Sequence, residues 1–183
     1  MSSIESTTAP AKAPSRHRLS AFRALGLGLF ITAFSSAHAA GGAVTVQEEI
    51  YLGTPPAQTW AAIRDFATWQ SWHPAFAGTQ MLKGNGHAAG SVRLLTAKDG
   101  ARFTEELVAY DAAAHSYTYR ILDSPAPVID YVSTLEVKEN KKGSSVVWSS
   151  HFKVKPGTSE ADAKNAISGI YRLGLDNLAS AMQ

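Results

Sequence analysis

Arg93 and Glu105 are the residues whose types and spacing most directly suggest chemistry. Lys98-Asp99-Gly100 lies between them and forms a three-residue hairpin loop if Gly100 is left-handed. Ala97 then faces Ala101, and counting inward sets Arg93 opposite Glu105. Phe103, Glu105, Leu107 and Ala109 share one face of their strand, with Arg93 and Leu95 beside them on the next. That alternation marks the face as the buried one. A guanidinium and a carboxylate withdrawn from water are favourable only when paired and hydrogen-bonded. Such a pair serves as an anchor for a ligand carboxylate or carbonyl, as an acid/base element, or as a structural cross-strand pair. The residues alone leave these readings open.

His73, in Trp72-His73-Pro74, is the other candidate for proton transfer near neutral pH. No second group stands at a known spacing from it, and a histidine before proline at a helix end also suits capping or packing. Trp69, Trp72, Phe76, Tyr117, Tyr119, Tyr131, Trp148 and Phe152 form a large aromatic set. Aromatic bodies with a polar tip suit a pocket that grips a flat or steroid-like ligand. Tyr119 and Tyr131 are the stronger pocket candidates, whereas Trp148 and Phe152 fit an ordinary core. Glu48 interrupts the apolar alternation of Val44, Val46, Ile50 and Leu52, so it is either an inward carboxylate or a slip in register.

The elements that must position these residues are legible. Val44 to Leu52 reads as a strand, followed by Thr54 as a helix cap with Pro55 at the first helical position. Trp60, Ile63 and Ala67 recur at helical spacing over 56–67, and Trp69 and Trp72 mark a second short helical turn ended by Pro74. Six strands are expected over 79–83, 91–97, 101–110, 116–122, 130–138 and 145–155, separated by turn-rich segments. In the last strand, Val146, Trp148, Phe152 and Val154 alternate with Val147, Ser149, His151 and Lys153, one face dry and one wet. A long helix runs from Ser159, its cap, to Met182, with Ala163, Ile167, Ile170, Gly174 and Leu178 as its apolar stripe and Ala166, Tyr171 and Leu175 widening it. The expected fold is α+β: a seven-stranded antiparallel sheet wrapped round the long helix, with two short helices after the first strand.

Residues 1–39 read differently. Arg16, Arg18 and Arg23 precede the apolar run Ala24 to Phe34, and Ala37-His38-Ala39 fits a signal-peptidase site. This is the pattern of a cleaved secretory leader, with cleavage after Ala39. The run is about half the roughly 20 residues of a membrane span, and the arginines are not adjacent, which favours the general secretory route. The expected location is periplasmic or secreted, with residues 40–183 as a single domain. The leader carries Lys12, Arg16, Arg18 and Arg23 against Glu5, so of 17 basic and 15 acidic residues the remainder keeps 13 and 14. A nearly neutral domain has no electrostatic footprint for nucleic acid or an anionic membrane surface.

The chain has no cysteine, which removes disulfides, thiolate metal sites and cysteine nucleophiles. His73, His87, His115 and His151 show no metal-ligand spacing, and there is no G-x-S-x-G elbow, phosphate loop or dinucleotide fingerprint. No metal or cofactor is expected.

Several stretches carry a resemblance: Trp60-x-x-Ile63-x-Asp65-Phe66, Trp72-His73-Pro74, Gly100-Ala101 with Glu105, Tyr117-x-Tyr119-Arg120-Ile121, Pro127-x-x-x-Tyr131 and Gly174-Leu175-Asp176-Asn177-Leu178. With the order of elements, they resemble the helix-grip fold of the SRPBCC superfamily, which includes START lipid-binding domains, birch-pollen-type allergens and polyketide cyclase/dehydrase-like proteins. The chain is similar to the exported bacterial branch, including proteins that assist methanol oxidation. The resemblance implies a cavity between sheet and long helix, entered near the short helices. Because this scaffold hosts many functions, three follow as expectations. The first is a binding module for a small hydrophobic or amphipathic molecule or lipid, using Trp69, Trp72, His73, Phe76, Arg93, Glu105, Tyr117, Tyr119 and Tyr131. The second is a cyclase/dehydratase-type enzyme with His73, Arg93 and Glu105 as its chemistry. The third is an accessory protein to a periplasmic oxidoreductase, recognisable by an exposed apolar patch. Without a catalytic constellation, binding is favoured over catalysis.

Overall fold

The computed structural model describes residues 42–183; the expected leader lies outside them. The strands are β1 (Val44–Leu52), β2 (Phe76–Lys83), β3 (Val92–Ala97), β4 (Arg102–Asp111), β5 (Ser116–Asp123), β6 (Val128–Asn140) and β7 (Gly143–Val154). They form one antiparallel sheet in the order β1-β7-β6-β5-β4-β3-β2. Helix α1 (Pro56–Ile63) and a 3-10 turn (Trp69–Ser71) follow β1, and helix α2 (Glu160–Ala181) closes the chain. Among the described residues no helix is long and apolar enough to cross a membrane.

Side chains alternate across each strand, so one sheet face is dry. It presents Val46, Ile50, Leu95, Leu107, Leu135, Val146, Trp148 and Phe152, and α2 lays Ala163, Ile167, Tyr171, Gly174, Leu175 and Leu178 into the same core. The α2 start is as expected: Ser159 Oγ accepts from Asp162 N at 3.0 Å, satisfying an otherwise orphaned donor. Two stripe positions differ. Ala166 is exposed and Ile170 only half-buried, because the buried arc centres on Ile167, Tyr171 and Leu178 and leaves these two at its margins.

Local competition explains the other departures. Helix α1 stops at Ile63 rather than 67, since Asp65 Oδ1 takes the Ala67 N–H at 2.9 Å and offers the backbone a turn instead of another helical bond. The cap is Pro55, with no side-chain bond, and Pro56 opens the helix. Thr54 does not cap; its hydroxyl bonds Thr59, which bonds Ser144, each at 2.8 Å. In β4 the register shifts between Leu107 and Ala109. This bulge turns Ala109 out to solvent and leaves Tyr110 half-buried, 5.7 Å from the Trp60 ring. Glu48 is an inward carboxylate with no slip: it faces Trp148 across the β1–β7 ladder. Ser168 and Arg172 of α2 both bond it, tying the edge strand to the helix.

Candidate functional site

The hairpin loop sets the central pair. Gly100 is left-handed at φ 88°, Ala97 N donates to Ala101 O at 2.8 Å, and Arg93 stands opposite Glu105. Arg93 is fully buried. Its Nε and Nη2 donate to the same Glu105 oxygen, Oε2, at 2.9 and 2.6 Å, and Nη1 donates to the Phe66 carbonyl at 2.8 Å. The guanidinium also lies 3.7 Å from the ring centroids of both Phe66 and Trp69, so aromatic faces replace part of its lost hydration. Among the described residues no hydrogen bond reaches the other carboxylate oxygen, Oε1. Burial accordingly pushes the Glu105 carboxyl above its ordinary range, against the opposing pull of Arg93.

Glu105 is the member of this pair that reaches the space between sheet and α2. That cavity has a volume of about 50 Å³. It is lined by Trp69, Phe76, Phe103, Glu105, Tyr119, Ile121, Ala126, Tyr131 and Trp148, and by Ile167, Ile170 and Tyr171 of α2. The expected cavity is thus present but small. Ligand sites of ordinary size have roughly 300–1,000 Å³, and the difference is filled by the Trp69, Trp148, Tyr119 and Tyr171 side chains themselves. Trp148 and Tyr171 are stacked at 4.2 Å. Since one water needs roughly 10–15 Å³, the cavity admits the tip of a molecule, not its whole body.

A directional chain of hydroxyls runs along this wall. Ser133 Oγ donates to the Ser149 carbonyl at 2.9 Å, which uses its single proton. Tyr171, 2.9 Å away, therefore donates to Ser133, and Tyr131 donates to Tyr171. Tyr119 accepts from Trp148 Nε1 at 3.1 Å and faces the Tyr131 hydroxyl at 3.5 Å, too far to hold its proton firmly. Burial raises all three phenols, Tyr171 to about 12, so they are neutral hydroxyls. Tyr171 and Ser133 were not among the sequence candidates. Ser133 left a signal, a polar residue at an inward position between Tyr131 and Leu135.

The remaining candidates lie elsewhere. Tyr117 and Trp72 do not line the cavity; Tyr117 Oη accepts from Trp69 Nε1 at 2.9 Å and anchors the 3-10 turn. His73 is fully buried and also off the cavity. Its Nδ1 accepts from Ala75 N at 3.3 Å, so Nε2 carries the proton and donates to the Ile170 carbonyl at 3.0 Å. Burial lowers its pKa to about 4, the Ile170 bond opposing and the Arg93 charge adding. A neutral imidazole with both nitrogens engaged is a docking residue for α2. Asn177 reinforces the joint by donating to the Trp72 carbonyl at 2.8 Å, and Gly174 permits it, since a Cβ there would meet His73 Cδ2 at 2.5 Å.

A second, open cleft of about 710 Å³ lies where β5 and β6 part. Their ladder ends at Arg120 and Val132, and Ile121–Asp123 and Val128–Tyr131 line the gap. Ile121 and Tyr131 belong to both cleft and interior cavity. Asp130, at φ 53°, sits in a bulge between Ile129 and Val132, a device that re-aims neighbouring side chains. Leu122 and Ile129 are exposed on the cleft walls; the other exposed large apolar residues among those described, Tyr51, Leu82, Val108 and Leu173, do not line it. Among the described residues no group of acidic or histidine side chains could hold a metal ion.

Comparison with known proteins agrees with this architecture. The model of the polyketide cyclase/dehydrase and lipid transport family matches residues 43–183. XoxI from Bacillus cereus is 32% identical, with a TM-score of 0.68 over 78% of this chain and 96% of that one. An uncharacterized Bacillus thuringiensis protein is 31% identical, with a TM-score of 0.67 over 77% and 98%. Ara h 8.0201, at 19% identity and a TM-score of 0.64 over 77% and 98%, shares the fold. The chain therefore belongs to the polyketide cyclase/dehydrase and lipid transport family and has the helix-grip fold of the SRPBCC superfamily.

Proposed function

We propose that this protein is an exported, periplasmic binding module that takes the polar tip of a small amphipathic molecule into the interior beside Glu105. The observation that carries the proposal is the free Oε1 of a buried carboxylate facing a cavity. A ligand donor there supplies the carboxylate with a hydrogen bond that the protein does not, and one to a charged group contributes about 1.5–3 kcal/mol. The cleft between β5 and β6, which shares Ile121 and Tyr131 with the cavity, accommodates the apolar body that the interior cannot. Export rests on the leader pattern of residues 1–39. Cyclase-type chemistry is not proposed, because His73 and Arg93 have their polar atoms engaged away from the cavity and Glu105 alone remains.

Native mass spectrometry of protein purified from periplasm tests the binding reading. The expected result is a mature chain beginning at Ala40 with a small molecule retained under gentle conditions and lost on Tyr131→Trp, which fills the shared wall. A chain that never carries or acquires such a molecule argues against it.

A second reading, contact with a partner protein, is favoured by the pairing of exposed Leu122 and Ile129 on one cleft. It predicts that Leu122→Ser with Ile129→Ser abolishes the contact in a protein that carries no small molecule.

A further inference from the structure

We infer that the interior cavity selects a neutral hydrogen-bond donor, the hydroxyl of a small alcohol or phenol, and rejects carboxylates. This rests on the binding reading above and specifies its ligand.

The selectivity follows from where the protons are. Arg93, the cation paired with Glu105, directs Nε and Nη2 at Glu105 Oε2 and Nη1 at the Phe66 carbonyl, and it does not line the cavity. The indole N–H of Trp148 is shared between Tyr119 Oη and Ser133 Oγ. The Ser133 proton is fixed on the Ser149 carbonyl, which orients the hydroxyls of Tyr171 and Tyr131 in turn, while Tyr119 stands 3.5 Å from Tyr131. Every polar group facing the cavity thus offers lone pairs, and apart from the Tyr119 hydroxyl its protons are already committed. Trp69, the other indole on the wall, donates to Tyr117.

A carboxylate entering here meets the Glu105 oxygen with only the Tyr119 hydroxyl to offset it, so it is repelled. A carbonyl finds only that same hydroxyl. A hydroxyl gives its proton to Oε1 and completes the buried carboxylate. An ammonium is also a donor, but the Arg93–Glu105 pair is neutral as a unit, so no net charge offsets the cost of dehydrating a cation. Phe76, Phe103, Ile167 and Ile170 supply the apolar walls. The anchor anticipated from sequence for a ligand carboxylate or carbonyl is therefore inverted: the group presented to the ligand is the acceptor.

The test compares phenol, toluene and benzoate at pH 7, matched in ring and differing in the group presented. Binding is read from the indole N–H resonances of Trp69 and Trp148. Phenol is expected to bind roughly ten- to a hundredfold tighter than toluene, the range for a hydrogen bond to a charged acceptor, and benzoate weakest. In Arg93→Met with Glu105→Leu, phenol and toluene become equivalent. Equal binding of phenol and toluene by the unmodified protein, or preference for benzoate, overturns donor selection and leaves the binding module standing. If no probe moves either indole, the binding reading falls with it. The ranking in the unmodified protein decides the matter even if the double variant folds poorly.

Discussion

Titration of His73 is the most direct check on the division between docking and ligand-facing residues. Its pKa of about 4 in the fold compares with about 6.5 in an unfolded chain. The folded value is the lower, so the neutral form is favoured by folding. The associated stability is present above pH 6.5 and is lost as pH falls through 4, because the unfolded chain takes up a proton that the native site refuses. One pH unit is worth about 1.4 kcal/mol, so the full loss is about 3 kcal/mol. Full burial means that solvent screening does not discount it. Urea unfolding from pH 7 to pH 4 should show this fall, superimposed on the other groups. His73→Gln should be less stable at pH 7 yet show an acid limb shallower by about that amount. Proton NMR of the imidazole should give a midpoint near 4 with the proton on Nε2. A midpoint at or above 6.5, or acid limbs of equal slope in the two proteins, would refute the buried docking role. It would also return His73 to the candidates for proton transfer.

Two further perturbations address the same core. Arg93→Met and Glu105→Leu should each cost about 3–5 kcal/mol alone, by stranding the partner, and be near neutral together; a double-mutant cycle by urea unfolding measures this, and additive losses would exclude a coupled pair. Gly174→Ala should destabilise by about 1–3 kcal/mol, since its methyl would meet the His73 ring at 2.5 Å; an unchanged melting midpoint would show that α2 is not held by that contact.

Local periodicity carried the fold, and contacts remote in sequence decided the site. The turn Lys98-Asp99-Gly100 fixes a register by itself, so the Arg93–Glu105 pairing could be counted from it. Ser159 and the α2 stripe are likewise local. The role of His73 depends on Ile170 O, about a hundred positions away, and no spacing rule joins Trp72-His73 to Gly174 and Asn177. Cavity size was illegible for a related reason. Trp69, Trp148 and Tyr171 suit a pocket wall and a pocket filling equally well, and only their mutual packing, Trp69 edge-on to Trp148 and Trp148 stacked on Tyr171, decides between them. The β4 bulge reversed Ala109 because strict alternation assumes an unbroken ladder. The end of α1 moved because Asp65 captured a backbone donor that helical periodicity assigns to the helix.

Binding in so filled an interior needs a path that does not require the sheet to unfold, and the sequence between β5 and β6 builds one. Beyond Arg120 and Val132 the two strands no longer pair, yet each remains held on its other side. Ile121 pairs with Glu105 of β4, and Val128 with Val154 of β7. The connecting Ser124-Pro125-Ala126-Pro127 contains two prolines, which lack donors and restrict the backbone. Pro127 O is fixed by Lys155 N at 3.0 Å. The gap is therefore held apart by stiff, anchored chain, and a guest meets little ordering cost there. Its inner wall is Tyr131, whose hydroxyl already gives its proton to Tyr171, and Ile121, directly across the ladder from Glu105. A molecule seated in that gap presents its leading group towards Glu105 Oε1, which no donor among the described residues reaches.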